Sequence, residues 1–214
     1  MDNLKRAAKS HFTRNEVSRW LETQDAYTLH RPVRRKFPRL HYNVTNIDDV
    51  WEADLIELRN LKSYNDGYSY LLVIIDVLSK FVWIEPLRDK TSGCVIKAFQ
   101  RFSRSEGRVP IYLQTDKGKE FIARSMQNFL KQNAIRFRIA RNPDVKAAIV
   151  ERFNRTLKER MWRYFTHKNT RRYIDVLQDI VLASNYTRHS SMRMQPAIVM
   201  RENARSAREN IIRR

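Results

Sequence analysis

Three runs of β-type apolar residues follow one another in the first half of the chain, and this succession most limits what the chain can fold into. The runs cover residues 51–58, 68–77 and 81–87. Asn65-Asp66-Gly67, between the first two runs, favours the positive φ angles of a tight turn, and residues 78–80 are short enough to close a hairpin between the next two. We therefore predict a meander of three antiparallel strands.

The pattern changes after residue 90, where helical and strand-like periods alternate. The apolar spacing predicts a helix that begins at Thr91, buries one face and ends near Gly107. The next elements are predicted as a strand over 110–115, a helix over 121–132, a strand over 135–140 and helices over 147–165 and 171–186. Three antiparallel strands followed by alternating helices and strands indicate an α/β fold, with a mixed five-stranded sheet flanked by helices.

Three shorter segments are predicted outside this core, which we place at residues 50–200. Residues 1–29 are expected to form a small helical segment, which begins a helix with the capping-box pair Thr13 and Glu16. A helix-turn-helix and a solvated helix without a DNA role are equally good interpretations of it. Residues 30–49 are predicted as a basic linker, and residues 201–214 as a basic C-terminal tail.

The charge balance indicates a polyanionic partner. The chain has 42 Lys and Arg against 23 Asp and Glu, a formal net charge of +19, which is typical of nucleic-acid-binding proteins. Its four glycines form neither G-x-x-x-x-G-K nor G-x-G-x-x-G, which argues against nucleotide-triphosphate and dinucleotide binding. One cysteine allows neither an internal disulfide nor a zinc site with paired thiolates. We find no secretory signal and no membrane-spanning stretch, and therefore predict no membrane partner.

Three acids lie where this layout would bring them together. Asp54 lies in the middle of a strand, where an isolated carboxylate is unfavourable. Asp116 directly follows the strand over 110–115, at the carboxyl end where ligands bind in α/β sheets. Glu151 lies near the start of the helix that follows the fifth strand. If the first and fourth strands are neighbours, the three carboxylates converge.

Converging carboxylates need a cation, because two like charges about 4 Å apart repel by about 4 kcal/mol at an effective dielectric of about 20. Carboxylate oxygens suit Mg²⁺ or Mn²⁺, and two such ions can activate a nucleophile and stabilise the leaving oxygen of a phosphodiester. The acids therefore predict two divalent ions and phosphoryl transfer on DNA. Salt bridges to the many basic residues are the alternative for each acid taken singly. For Asp76, at the end of the second strand, we favour a structural role, because Asp76-Val77-Leu78-Ser79-Lys80 also fits a turn signal.

The residues around Glu151 predict a basic helix face. At about 100° per residue, Asn154, Arg155 and Lys158 fall on the face of Glu151, and the apolar residues form a separate stripe. Arg155 and Lys158 would then hold the phosphate backbone of the substrate. The alternative is a set of salt links on a solvated face, which would contribute only a few tenths of a kcal/mol.

These residues resemble the catalytic core of retroviral-type integrases, the D,D-35-E family. The resemblance rests on the motifs Trp51-x-x-Asp54, Thr115-Asp116-x-Gly118-x-x-Phe121 and Glu151-x-x-Asn154-Arg155-x-x-Lys158. The 34 residues between Asp116 and Glu151 are close to the spacing that gives the family its name. Residues 185–190 and Pro196 resemble a later family signature. Within the family, residues 142–155 look most similar to integrases of Polinton/Maverick-type DNA transposons.

The resemblance implies an RNase H-like fold that catalyses 3′-end processing and strand transfer of element DNA into a target. Asp54, Asp116 and Glu151 would be the catalytic metal ligands, and residues 143–147 a mobile loop beside them. We predict DNA contacts at these positions: Lys146, Asn154, Arg155, Lys158, Arg34, Arg35 and Lys36. Because two element ends must be joined, we also expect a homo-oligomer, a dimer or a tetramer. A nuclear location, or one in a viral or transposon nucleoprotein complex, follows from the substrate.

Several features depart from the family pattern. Lys117 replaces the Asn that usually follows the second Asp of retroviral members, and Ala147-Ala148 replaces a Gly-containing loop. The His-His-Cys-Cys zinc module is absent, and no SH3-like barrel or chromodomain follows, so a fragment or a reduced member is expected. A domesticated DNA-binding protein without catalysis and an RNase H-like nuclease without strand transfer stay open as alternatives.

Overall fold

The computed structural model of the protein describes residues 12–24, 44–139 and 148–213. The chain divides into two compact units, Met1–Leu40 and His41–Arg214. In the first unit, helix α1 (Arg14–Glu22) begins at Thr13 with the predicted capping box, because the side chain of Glu16 accepts hydrogen bonds from the N–H and hydroxyl of Thr13. The second helix of a helix-turn-helix would lie outside the described residues.

A five-stranded mixed sheet forms the centre of the second unit, in the order β3-β2-β1-β4-β5. Its strands are β1 (Val50–Glu57), β2 (Tyr70–Asp76), β3 (Val82–Leu87), β4 (Tyr112–Thr115) and β5 (Arg136–Ile139). The first three are antiparallel, and β4 and β5 add in parallel to β1. This arrangement confirms both the predicted meander and the proximity of the first and fourth strands.

Helices cover both faces of the sheet. They are α2 (Ser92–Glu106), α3 (Lys119–Ile122), α4 (Arg124–Gln132), α5 (Ala148–Lys168), α6 (Leu177–Tyr186) and α7 (Ala204–Ile212). Short 3₁₀ helices occupy Arg59–Tyr64 and Pro196–Ile198. Helix α2 ends as predicted at Gly107, whose φ of 64° is left-handed. None of the helices in the described ranges is long and apolar enough to cross a bilayer.

The two faces of β2 anchor two separate hydrophobic cores. All of its residues are buried, and successive side chains point to opposite faces. Leu72 and Ile74 pack in one core with residues of α2 and α4, whereas Leu71 and Val73 pack in the other with residues of α5. Strand β2 is therefore fixed in register, because a slip of one residue would exchange the two cores.

Asp76 has the structural role that we favoured for it. Its carboxylate is fully buried and accepts hydrogen bonds from the backbone N–H of Asp48 and from the N–H and hydroxyl of Ser79. Asp48 in turn forms an ion pair of 2.7 Å with Arg108. These bonds close the turn after β2 and tie it to the segment that precedes β1.

The chain after residue 168 differs from the prediction. The helix expected over 171–186 begins only at Leu177, because residues 171–174 instead bind the buried Asn65, whose amide donates to the carbonyl of Arg171 and accepts from the N–H of Tyr173. The expected basic tail is largely helix α7, in which Ala204 and Ala207 are buried. The small alanines allow this helix to pack closely although its other residues are mostly polar.

Candidate active site

Asp54 lies on β1 with its side chain turned towards α5. Its Oδ1 accepts a hydrogen bond of 2.8 Å from the backbone N–H of Leu55, and its Oδ2 accepts one of 2.7 Å from Nδ2 of Asn154. The residues around Asp54 offer few other hydrogen-bond donors, because Ala53 and Leu55 belong to one hydrophobic core and Ile56 to the other. Asp54 is thus held by one backbone and one side-chain donor in a half-buried position.

The charge environment of Asp54 links the three predicted acids. The pKa of Asp54 is raised to about 6, first because burial disfavours the charged carboxylate, and then because Asp116 and Glu151 are negatively charged nearby. The backbone N–H of Leu55 and the ammonium of Lys158 act in the opposite direction. The structure therefore brings the three acids into one electrostatic neighbourhood, while their roles as metal ligands and catalytic groups stay predictions.

Asp116 is positioned by the turn that leaves β4. It is exposed, and its Oδ1 accepts a hydrogen bond of 3.0 Å from the N–H of Gly118. A Cβ on Gly118 would lie 2.7 Å from Oε1 of Glu120 and 3.1 Å from Oδ1 of Asp116. A larger residue at this position would therefore displace the flexible Glu120 side chain and press on the carboxylate of Asp116.

Glu151 lies exposed in the first turn of α5, and the start of this helix is held by Glu52. Oε2 of Glu52 accepts hydrogen bonds from the N–H groups of Ile149 at 3.0 Å and Val150 at 2.9 Å. A carboxylate at this place also complements the positive end of the helix dipole. We did not predict Glu52, although its place two residues before Asp54 put both acids on one strand face.

Lys80 is a second residue that the sequence did not single out. Its ammonium donates to the carbonyl of Val77, and its backbone has a φ of 59°. Burial lowers the pKa of Lys80 to about 8, and the negative charges of Glu52 and Asp76 partly counter this effect. The positive charge of Lys80 therefore partly compensates the carboxylate of Glu52, which holds the start of α5.

The three residues predicted to contact DNA on α5 are placed differently from one another. Asn154 is buried, with 7% of its surface exposed, and donates to Asp54. Arg155 and Lys158 are exposed on the helix. Asn154 is thus engaged inside the site, and only Arg155 and Lys158 are open to a DNA backbone.

Four other predicted contacts, Lys146, Arg34, Arg35 and Lys36, lie outside the described residues, as does the predicted loop over 143–147. The DNA-binding roles assigned to them stay predictions.

The donors suit a hard divalent cation. Among residues 12–24, 44–139 and 148–213, no three His, Cys, Asp or Glu side chains form a group tight enough to hold a metal ion. However, the pKa of Asp54 is raised partly by the charges of Asp116 and Glu151, and a bound cation would relieve that repulsion. Carboxylate oxygens are also the ligands that Mg²⁺ and Mn²⁺ prefer.

The acids lie on an open surface and not in an enclosed cavity, since Asp116 and Glu151 are both exposed. A depression of about 800 Å³ lies at the opposite end of α5, where its lining includes Tyr64, Trp162 and Arg171 but none of the three acids. An open site suits a polymeric substrate better than a small molecule.

The sequence of the sheet region is similar to that of integrases. Residues 45–143 match the family model described as the integrase core domain. The match includes Asp54 and Asp116 and ends before Glu151. An uncharacterized transposon-derived protein of Caenorhabditis elegans is 36% identical over 140 residues, which are 65% of this chain and 49% of that protein. The Gag-Pol polyprotein of avian reticuloendotheliosis virus is 33% identical over 51% of this chain and 9% of its own length. The chain thus spans about half or less of these relatives.

Solved structures of integrases have the same fold. The simian T-cell lymphotropic virus intasome in complex with the PP2A regulatory subunit B56 gamma matches with a TM-score of 0.66 and 21% identity, over 90% of this chain and 68% of that one. The magnesium complex of the HTLV-2 integrase catalytic core, in its trimeric form, matches with a TM-score of 0.60 and 19% identity, over 72% of this chain and 97% of that one. The predicted RNase H-like fold of an integrase core is confirmed. The finer similarity to Polinton/Maverick-type integrases stays a prediction.

Proposed function

We propose that the protein is the DNA integrase of a mobile element, which processes the 3′ ends of element DNA and transfers them into target DNA. The observation that carries this proposal is the half-buried carboxyl of Asp54, whose pKa is raised to about 6 beside Asp116 and Glu151. Three acids from three separate elements are expensive to hold together without a cation. Perturbed acids of this kind are typical of catalytic sites.

Each residue then has a distinct role. Asp54, Asp116 and Glu151 would hold two Mg²⁺ or Mn²⁺ ions, which would activate a water or hydroxyl nucleophile and stabilise the leaving oxygen of a phosphodiester. Asn154 keeps Oδ2 of Asp54 in place through its 2.7 Å hydrogen bond. We assign Arg155 and Lys158 to the phosphate backbone of the element end, because both are exposed on the helix that carries Glu151.

The comparisons support the substrate and the assembly. The simian T-cell lymphotropic virus protein was solved as an intasome, and the HTLV-2 core was solved with magnesium in trimeric and dimeric forms. The formal charge of +19 fits double-stranded DNA, both element ends and target. We extend to this chain a divalent-ion cofactor, a homo-oligomeric assembly as a dimer or tetramer, and a nuclear or nucleoprotein-complex location.

A joining assay tests the proposal. The substrate is a labelled duplex with the terminal sequence of the element, incubated with the protein in Mn²⁺ or Mg²⁺ and an unlabelled target plasmid. We expect processed and joined products from the wild type and from Glu106→Gln, which removes an exposed acid from the end of α2. Asp116→Asn is expected to form neither product.

The other outcomes separate the alternatives. DNA binding without products from any variant would contradict integration and support a domesticated DNA-binding protein. Cleavage without joining, lost in Asp116→Asn, would support an RNase H-like nuclease. Equal product formation by the wild type and Asp116→Asn would remove Asp116 from the catalytic site.

A further inference from the structure

Two arginines on the edge strand β5 are organised around one tyrosine on β4. Nη1 of Arg136 donates a hydrogen bond of 2.8 Å to the hydroxyl of Tyr112. The guanidinium carbon of Arg138 lies 3.4 Å from the centroid of the Tyr112 ring, and that of Arg136 lies 5.5 Å from it. Both arginines are exposed and belong to neither hydrophobic core. This cluster of Tyr112, Arg136 and Arg138 is called the arginine platform below.

The arginine platform lies on the same face of the sheet as Asp54. Tyr112 pairs with Val50 on one side and with Arg136 on the other, and it packs in the cluster that contains Ile149 of α5. Leu113, the next residue of β4, points to the opposite core. Side chains alternate along a strand, so Tyr112, Arg136 and Arg138 project from the sheet face opposite to Leu113. Helix α5 packs on this face over β1 and β2.

The platform is also close to Asp116 along the sheet. Arg138 pairs with Gln114, which is two residues before Asp116. A strand rises about 3.3 Å per residue and neighbouring strands lie about 4.8 Å apart, so the backbone of Arg138 is about 8 Å from that of Asp116. A polymer bound across the three acids would therefore pass within reach of the long Arg138 side chain.

The chemistry of the platform fits a phosphate diester. A guanidinium stacked on an aromatic ring keeps its N–H groups at the edge, where they can bind two phosphate oxygens at once. No described acidic residue forms an ion pair with Arg136 or Arg138. By contrast, Arg172 is paired with Asp66 and Asp175, and Arg108 with Asp48. Tyr112 thus orients the two arginines of the platform, and no acid among the described residues neutralises them.

We propose that Tyr112, Arg136 and Arg138 form a phosphate-binding platform, which holds the DNA backbone beside Asp116 on the same sheet face as Asp54. Its place beside a reaction centre rests on the proposed function, whereas DNA binding by the platform can be measured without catalysis. Protection of an edge strand by charged side chains is the competing explanation for arginines on β5. That explanation requires no role for the Tyr112 ring and no contact with DNA.

The test compares two double variants of equal charge. Arg136→Gln/Arg138→Gln removes the platform arginines. Arg205→Gln/Arg213→Gln removes two exposed arginines, on α7 and at its C-terminal cap, which both pair with Glu209. The affinity of each full-length variant for a fluorescent duplex is measured by anisotropy over a series of KCl concentrations. Each lost phosphate contact lowers the slope of log affinity against log salt by about 0.9. We expect the magnitude of this slope to be smaller by about 1 to 2 in Arg136→Gln/Arg138→Gln, and to equal that of the wild type in Arg205→Gln/Arg213→Gln.

Single variants of Tyr112 provide a second, independent measurement. Tyr112→Phe keeps the ring under Arg138 and should bind DNA nearly as the wild type does, whereas Tyr112→Ala should lose several-fold in affinity. Equal slopes for the two double variants, or equal affinity of Tyr112→Ala and the wild type, would overturn the platform. A wild-type protein that binds DNA through the platform but forms no products would instead overturn the proposed integrase activity and leave the platform intact.

Discussion

Nδ2 of Asn154 lies 2.7 Å from Oδ2 of Asp54 and donates a hydrogen bond to it across the gap between α5 and β1. This contact positions the carboxylate of Asp54, which is half-buried, whereas Asp116 and Glu151 are exposed. It also occupies the Asn154 amide, so the residue acts on the site through Asp54. Mutation of the buried Asn154 and mutation of the exposed Lys158 should therefore have different effects on activity and on DNA binding.

Asn154→Ala should lower activity without a comparable loss of DNA affinity. Removing a group that orients a metal-binding carboxylate typically reduces activity by about 10- to 100-fold. We expect a loss of this size in the rate of end processing at saturating DNA, and an equilibrium Kd for DNA within about two-fold of the wild type, since Asn154 is buried. A Kd that rises as much as the rate falls would show that Asn154 contacts DNA directly.

Lys158→Glu is the matched change on the exposed side of α5. It should weaken DNA binding and flatten the dependence of affinity on log salt, as expected for a lost phosphate contact. Anisotropy titrations at several KCl concentrations measure this directly. An unchanged slope would remove Lys158 from the DNA surface.

Glu52→Gln should destabilise the fold, because Glu52 accepts two hydrogen bonds at the start of α5 and is fully buried. The amide keeps one acceptor oxygen but loses the charge that Lys80 compensates. We expect a loss of about 1–3 kcal/mol in the free energy of unfolding. Urea denaturation measures it, with Glu57→Gln as the control, since Glu57 is exposed on the same strand and its salt bridge to Arg59 should contribute less than about 1 kcal/mol. Equal stabilities of the two variants would contradict the role of Glu52.

Gly118→Ala should impair activity more than stability. The φ of Gly118 is −57°, which alanine adopts freely, so the effect comes from the Cβ that would press on Glu120 and on Oδ1 of Asp116. Gly93→Ala is the control, because no atom lies within 4 Å of its added Cβ in the first turn of α2. We expect end processing to fall in the first variant alone, with both melting temperatures close to that of the wild type. Full activity of Gly118→Ala would show that Asp116 tolerates displacement.

The pH dependence of stability should reveal the burial of Asp54. Its folded pKa of about 6 is above the unfolded value of 3.8, so the folded state retains a proton that the unfolded state has lost. The contribution of Asp54 to the free energy of unfolding is therefore highest below the unfolded pKa. It falls by up to about 3 kcal/mol as the pH rises from about 4 to about 6, and it stays low above about pH 6.

Asp54→Asn removes this titration and should be more stable than the wild type at pH 7.5 in EDTA. At about pH 3 the advantage should largely disappear, because Asp54 is then mostly protonated in both the folded and the unfolded state. Denaturation curves at the two pH values provide the measurement. A variant that is less stable than the wild type at pH 7.5 would contradict the unfavourable burial of the charged carboxylate.

Much of the fold followed from local sequence patterns, whereas the finer geometry of the site did not. The strand runs and the Asn65-Asp66-Gly67 turn predicted the meander, because alternation and positive φ are properties of a few neighbouring residues. The approach of Asp54 and Asp116 followed from the pairing of β1 with β4. The role of Glu52 depends on a contact with residues nearly a hundred positions away, which periodicity cannot show.

Helical periodicity misplaced Asn154 for a related reason. On a helical projection, Asn154 shares the face of Glu151, Arg155 and Lys158, but the packing of α5 against β1 buries it beside Asp54. The helix within the predicted basic tail was missed for a similar reason, because the two buried alanines of α7 carry too weak an apolar signal to predict a packed helix. Packing against the rest of the molecule decided both cases.

Direct measurement of Mn²⁺ binding tests the central claim that Asp54, Asp116 and Glu151 form one metal site. The free Mn²⁺ concentration is followed by electron paramagnetic resonance during titration of the wild type, Asp54→Asn, Asp116→Asn, Glu151→Gln and the control Glu57→Gln, each without DNA. We predict that each of the three site variants loses at least ten-fold in Mn²⁺ affinity and that the control binds as the wild type does. Wild-type binding by any of the three site variants would contradict a shared metal site.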